Sequence, residues 1–286
     1  MKESLKKPCK WFYLLENEIM IIDLALKMKP INKFLLLLFT LGLFSPFVVA
    51  QGETDKPVFV LVHGTFQWGG QWNLLKSDLV SKGFEVYNPT LTGLGEKNHL
   101  LSKETGISTH INDIVNFIEW NNLDNVILVG HSYGGPVISG VVDKVGNKIK
   151  HQVYVDCAPA DNGENTLDVF GPEVARISLE SAKENGDGWL ITADALREPI
   201  PTMSKHPLKS YLERVEIVND VKTDGTIILA TEAMDIFGYL RTTTAPKKAE
   251  KRNWKIITIE GPHTLQEQDP SMSEISKILV DVYNSN

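Results

Sequence analysis

Cysteine is nearly absent: the 286 residues include only Cys9 and Cys157. With the first 50 residues removed, as argued below, one thiol remains and no intrachain disulfide can form, so stability must come from packing. Basic residues are not in excess. There are 29 Lys and Arg against 36 Asp and Glu, a net charge of −7, which gives no electrostatic reason to seek phosphate backbones or anionic lipid. Nucleic acid is therefore not expected as a partner. No histidine pair has metal-ligand spacing, so no metal is indicated, and no other cofactor is implied. Repeats and low-complexity tracts are also missing, which leaves no support for a solenoid. What is present, 42% hydrophobic and 23% charged residues, is the balance of a globular chain that buries one sizeable core.

The N-terminus reads as an address. Lys29 and Lys33 precede an almost wholly apolar stretch from Phe34 to Val49, and Val48-Val49-Ala50 supplies small residues just before Gln51. This is a signal-peptide pattern with cleavage after Ala50. The stretch is about 16 residues long and broken by Gly42 and Pro46, short of the roughly 20 that a spanning helix needs. Residues 1–27 contain Trp11, Phe12, Ile19 and Ile21, unusual ahead of a signal, which points to Met28 as the start. No cysteine sits at the cleavage point to carry a lipid. An exported product of residues 51–286 is expected, periplasmic or secreted, with no stable membrane anchor and one domain. Its net charge would be −10, since the first 50 residues carry seven lysines against four acidic residues.

Beyond residue 56 the pattern alternates. Val58-Phe59-Val60-Leu61-Val62, Phe84-Glu85-Val86-Tyr87, Val126-Ile127-Leu128-Val129, His151-Gln152-Val153-Tyr154-Val155, Thr226-Ile227-Ile228-Leu229 and Trp254 to Ile259 read as strands. Helical spacing appears at Ile111, Ile114, Val115, Phe117 and Ile118, and helical segments are expected near 135–145, 236–251 and 271–283. Strand and helix in alternation predict an α/β fold, a mostly parallel sheet covered by helices on both faces. Residues from about 158 to 222, with prolines at 172, 199, 201 and 207 and no convincing strand, read as a small helical cap insertion.

Gly130-His131-Ser132-Tyr133-Gly134 follows one of these strands directly and opens a helix. Such a strand-to-helix turn lifts the serine hydroxyl clear of the sheet, and the flanking glycines prevent helix and strand from colliding. The bland alternative is a glycine-rich turn in which Ser132 merely caps the helix. A serine hydroxyl needs a base within hydrogen-bond reach to act as a nucleophile at neutral pH. His63 belongs to the first strand-end turn, His99 and His110 lie upstream of the elbow, His131 is inside it, His151 opens a strand at the opposite edge and His206 is in the cap. His263 follows the last strand through Glu260-Gly261-Pro262, on a loop at the same carboxyl edge as Ser132.

With these residues the chain resembles the α/β-hydrolase superfamily, in the branch of plant methylesterases, hydroxynitrile lyases and related bacterial esterases. Matching segments are Leu61-Val62-His63-Gly64-Thr65 with Trp68 and Trp72, Pro89 to Gly95, Val129 to Gly135, Tyr154-Val155-Asp156, and Gly261-Pro262-His263 with Asp269-Pro270. They span essentially all of 57–284 except the cap. The resemblance implies a triad with Ser132 as nucleophile and His263 as base, and an oxyanion hole formed by the backbone N–H groups of Thr65 and Tyr133.

The acid departs from the plant pattern. Plant members place an aspartate after the sixth core strand, where this chain reads Ala230-Thr231-Glu232-Ala233-Met234-Asp235. Glu232 and Asp235 remain candidates there. Asp156, 24 residues beyond Ser132 at a strand end, stands where some lipases of similar fold carry theirs, and is preferred. Asp156 as a mere partner for amides of the Cys157-Ala158-Pro159 turn is the alternative. Cys157 itself reads as a small buried hydrophobe.

Phe66 and Trp68 are candidate substrate-binding residues in a mostly apolar pocket, although Trp68 and Trp72, four apart, also suit simple packing of the first helix. The favoured expectation is a serine hydrolase acting on a small or medium, mostly apolar carboxylic ester. The lyases resembled here place a lysine directly after the histidine, where this chain has Thr264, which disfavours cyanohydrin cleavage. A non-catalytic ligand-binding protein is the remaining alternative. Serine at 132 excludes epoxide hydrolase and dehalogenase chemistry, which need a carboxylate nucleophile.

Overall fold

The computed structural model describes residues 57–193, 203–219, 221–232 and 235–285. The signal peptide, the Met28 start and the cleavage after Ala50 lie outside the described residues.

Six strands form one sheet: β1 (Val58–Val62), β2 (Val86–Tyr87), β3 (Val126–His131), β4 (Ile149–Val155), β7 (Asp224–Ala230) and β8 (Lys255–Ile259). Their order is β2-β1-β3-β4-β7-β8, and every neighbouring pair is parallel. β1 is buried along its whole length, and so is β3, as continuous apolar runs covered on both faces must be. Because side chains alternate along a strand, β1 feeds two cores. Val58, Val60 and Val62 join a cluster with helices α2 (Ile107–Trp120), α3 (Gly134–Val145) and α7 (Ala245–Arg252). Phe59 and Leu61 join the other, against α1 (Asn73–Ser81) and α8 (Ser271–Asn284). The helices present matching stripes: Ile107, Ile111, Ile114 and Ile118 on α2, and Met272, Ile275, Leu279 and Val282 on α8.

The chain runs outward from β1 to β2 and then returns to β3 on the other side of β1. The carboxyl ends of β1 and β3 therefore flank the point where strand order reverses, the place where open α/β sheets form a crevice.

Three expectations are corrected. The second strand is confined to Val86–Tyr87, and Phe84 instead packs its ring on Phe59 and Tyr283. The segment expected as one helix over 236–251 is a 3-10 turn at Asp235–Phe237, a π-helical turn at Leu240–Thr244 and then α7. The region between β4 and β7 is not wholly helical. It contains α4 (Thr166–Phe170), α5 (Pro172–Asn185) and α6 (Leu208–Leu212), together with an antiparallel pair of two-residue strands, β5 (Leu190–Ile191) and β6 (His206–Pro207). Two paired residues per strand carry too little alternation to show in a sequence.

Candidate active site

The elbow has a steric cause. A Cβ on Gly130 would lie 2.6 Å from the carbonyl oxygen of Gly134, and one on Gly134 would lie 2.6 Å from that of Val62. Strand and helix thus touch backbone to backbone on either side of Ser132. The serine itself is held at φ 50°, its N–H donating to the Val155 carbonyl at 3.1 Å and its carbonyl accepting from Gly135 N–H at 2.8 Å. A left-handed serine costs on the order of 1–2 kcal/mol, which the surrounding packing must overcome.

Asp156 ends β4 in the same left-handed region, φ 45°, with its N–H on the Ile228 carbonyl at 2.7 Å. His263 follows β8 through Gly261, whose φ of 145° favours glycine. These three loops bring their side chains into one row. Ser132 Oγ donates to His263 Nε2 at 2.9 Å, and His263 Nδ1–H donates to Asp156 Oδ2 at 2.6 Å. Asp156 is fully buried. Burial opposes its ionisation, but the hydrogen bond from His263 and then the Arg241 guanidinium hold its carboxyl below the usual carboxylate range. Glu232 and Asp235 are exposed, and it is Asp156 that meets the His263 ring.

Two neighbouring rings and a hydrogen bond to its backbone hold His263. Phe237 stacks on it at 4.1 Å between ring centroids, and His131 lies at 4.7 Å, tilted. His131 Nε2–H donates to the His263 carbonyl at 2.9 Å, and its Nδ1 accepts from Gln71 Nε2 at 3.1 Å. Burial takes His131 down to about 3, so it is neutral and able to accept. Gln71 Oε1 in turn accepts the Gly64 N–H at 3.0 Å, while Nε2 also reaches Glu267 at 3.0 Å. One amide therefore ties the turn after β1 to the loop that carries His263.

Beside the row lies a cavity of about 170 Å³. Thr65, Phe66, Ser132, His263 and Thr264 line it from the sheet edge, Phe170, Val174, Ile191 and Tyr211 from the insertion, and Ile236 and Phe237 from the loop after β7. Tyr211 hydrogen-bonds the Thr65 hydroxyl and stacks on Tyr133, whose own hydroxyl donates to His110 Nδ1 at 2.7 Å. Thr65 thus lies on the cavity wall, and Tyr133 directly follows Ser132 at the head of α3. Trp68 is not among the residues that line this cavity: it is part-exposed, its ring over Gly70 and its Cβ against Gly95. Trp72 is buried in the core beneath α1. Cys157 is buried, its thiol on the Gly130 carbonyl at 3.2 Å and its ionisation suppressed by burial. A larger cavity of about 540 Å³, lined by Asp143, Gln152 and Arg252 among others, contains none of the row.

Arg241, Gln71, Phe237 and Tyr211 were not found from the sequence. None has a motif, and each reaches the site through a fold contact from a distant segment.

A parallel sheet with a serine elbow, a histidine after the last strand and a buried aspartate defines a hydrolase-like α/β class. The model of the alpha/beta hydrolase family matches residues 59–277, and the chain belongs to that family. The carbendazim hydrolyzing esterase of Nocardioides sp. (strain SG-4G) is 42% identical over 109 residues, 38% of this chain and 45% of the relative. Putative methylesterase 13 of Arabidopsis thaliana is 32% identical over 132 residues, 46% of this chain and 29% of the relative. The matches thus span less than half the length of these relatives. Among solved structures, an extracellular alpha/beta-hydrolase from a Paenibacillus species superposes with a TM-score of 0.66 at 22% identity, over 80% of this chain and 99% of the other. Tomato methylketone synthase I superposes with a TM-score of 0.61 at 19% identity, over 80% and 98%. At such identities the superpositions speak for the fold alone.

Proposed function

We propose that this protein is a serine hydrolase that cleaves a small or medium, mostly apolar carboxylic ester through an acyl-enzyme. The observation that carries the reading is the hydrogen-bonded row Ser132–His263–Asp156 opening on an apolar cavity. Ser132 Oγ attacks the ester carbonyl as His263 Nε2 takes its proton. Asp156 keeps the Nδ1–H tautomer and balances the imidazolium. The tetrahedral oxyanion is met by the N–H groups of Thr65 and Tyr133, each worth about 3 kcal/mol of barrier in comparable sites. His263 then hands its proton to the departing alkoxide, and water repeats the sequence on the acyl-enzyme to release the acid.

A cavity of about 170 Å³ walled by Phe66, Phe170, Val174, Ile236 and Phe237 favours a compact, uncharged group. Relatives named esterase and methylesterase support ester rather than amide chemistry. Thr264 rather than a lysine follows His263 on the cavity wall, which favours hydrolysis over lyase chemistry. The reading includes export, with translation starting at Met28 and a signal removed after Ala50. N-terminal sequencing of the native protein that finds residues ahead of Gln51 retained would withdraw that part.

The test is hydrolysis of a short-chain aryl ester by the full chain beside Ser132→Ala. The variant is expected to lose at least about 10³-fold in turnover. Equal rates in both, or none in either, would remove the ester-hydrolase reading.

A further inference from the structure

We infer that Arg241 is a positioning residue of this site, holding the Asp156 carboxylate in place and sharing its charge with His263. The inference rests on the hydrolase reading above and adds to it a residue outside the Ser–His–Asp row.

The carboxylate is fully engaged. Oδ2 accepts His263 Nδ1–H at 2.6 Å and an Arg241 terminal N–H at 2.8 Å, while Oδ1 accepts the Ala230 N–H at 3.0 Å and Arg241 Nε–H at 3.2 Å. The guanidinium therefore grips both oxygens, a planar fork on a planar acceptor. Neither partner is in bulk water: the Asp156 side chain is 0% exposed and that of Arg241 15%, so their interaction is little screened. The same segment also bears on the imidazole. Arg241 lies on the π-helical turn just after Phe237, whose ring stacks on His263, and the guanidinium itself sits 6.0 Å over that ring.

A buried aspartate facing a histidine alone would stabilise the imidazolium with its whole charge. Here part of that charge is already taken up by Arg241, whose guanidinium shares both carboxylate oxygens, so loss of Arg241 would leave the whole charge to the imidazole. Among the described residues, titratable groups facing this pair include His131 against the His263 ring, Glu267 behind it through Gln71, and Cys157 next to Asp156. All three are unchanged when Arg241 is replaced, so a difference between variants reports Arg241.

The experiment compares pH profiles of kcat/KM on the aryl ester for wild type, Arg241→Lys and Arg241→Gln, with thermal melts. Arg241→Gln is expected to move the acidic limb up by about 1–2 pH units and to lower kcat about 10- to 100-fold. Arg241→Lys, which retains the charge, should keep the limb within a few tenths of a unit of wild type. An unmoved acidic limb in a folded Arg241→Gln would make Arg241 a structural brace and overturn the inference. Where Arg241→Gln does not fold, Asp156→Asn is compared with Asp156→Asn/Arg241→Gln, which lacks both charges. Coincident ring-proton titrations of His263 support action through the carboxylate, and displaced ones overturn it. NMR titration of His263 in Ser132→Ala with and without Arg241→Gln reads the same displacement without turnover. Failure of ester hydrolysis is thereby separated from failure of the Arg241 role.

Discussion

Asp156 receives four hydrogen bonds on two oxygens, and Asp235 on the loop after β7 is exposed, so the two candidate acids predict opposite outcomes. Asp156→Asn should lower kcat about 10⁴-fold, because an amide at that position no longer selects the Nδ1–H tautomer of His263. Asp235→Asn should stay within about twofold of wild type, since an exposed substitution that removes no contact changes little. Steady-state kinetics on one ester checks both. Gln71 makes a separate prediction. Gln71→Leu leaves the Gly64 N–H and His131 Nδ1 without their partner inside the protein, a cost of about 1–3 kcal/mol per buried group in a thermal melt. The loop bearing His263 should loosen with it, lowering kcat more than it raises KM. Ser132 stood out in the sequence through its glycine frame, and His263 through its place after the last strand. Asp156 was one of three open choices, because a carboxylate's partner is decided by which loop end it faces, and that depends on sheet order.

Among the elements, the join of β3 to α3 tolerates nothing at Gly130. Gly130→Ala puts a methyl against the Gly134 backbone, where no side-chain rotation relieves it, so α3 must shift and carry Ser132 with it. The expected outcome is a loss of about 100-fold or more in turnover together with a lower melting temperature. The root of the insertion is tied to α7 by charge: Asp161 meets Lys248 at 2.8 Å and Arg252 at 2.5 Å, and Lys248 also meets Glu164. Asp161→Asn should cost about 1.5–3 kcal/mol by denaturant unfolding, and more at low salt than at high. The core strands and the long amphipathic helices were readable because burial on one or both faces imposes a period on the sequence. The broken helix over 235–252 and the paired residues of β5 and β6 were not, since their shapes follow from contacts with distant segments: Phe237 and Arg241 meet His263 and Asp156, and β5 lies against α5 and pairs with β6.

Over the whole molecule, acid should unfold the protein earlier than its carboxylates alone would require. His63 and His131 are buried and lowered to about 3, and burial also lowers His110 and His206. A histidine whose folded value lies below its unfolded 6.5 binds its proton preferentially in the unfolded chain. Its contribution is therefore complete above pH 6.5 and is lost as pH falls toward 3. For His63 and His131 that loss extends toward pH 3, and His110 and His206 add to it in the same direction. Melting temperature should thus decline steadily from pH 6.5 downward, and a flat profile between pH 6.5 and 4.5 would show that these histidines are accessible to protons in the folded state. The amino-acid sequence by itself determined the alternation of strand and helix, the glycine-framed serine and the histidine after the last strand, because burial and backbone sterics act on neighbours along the chain. Only the tertiary structure decided that Asp156 faces His263, that Arg241 grips it and that Gln71 joins two loops, because those contacts depend on strand order and on side chains meeting across a sheet edge from segments far apart in sequence.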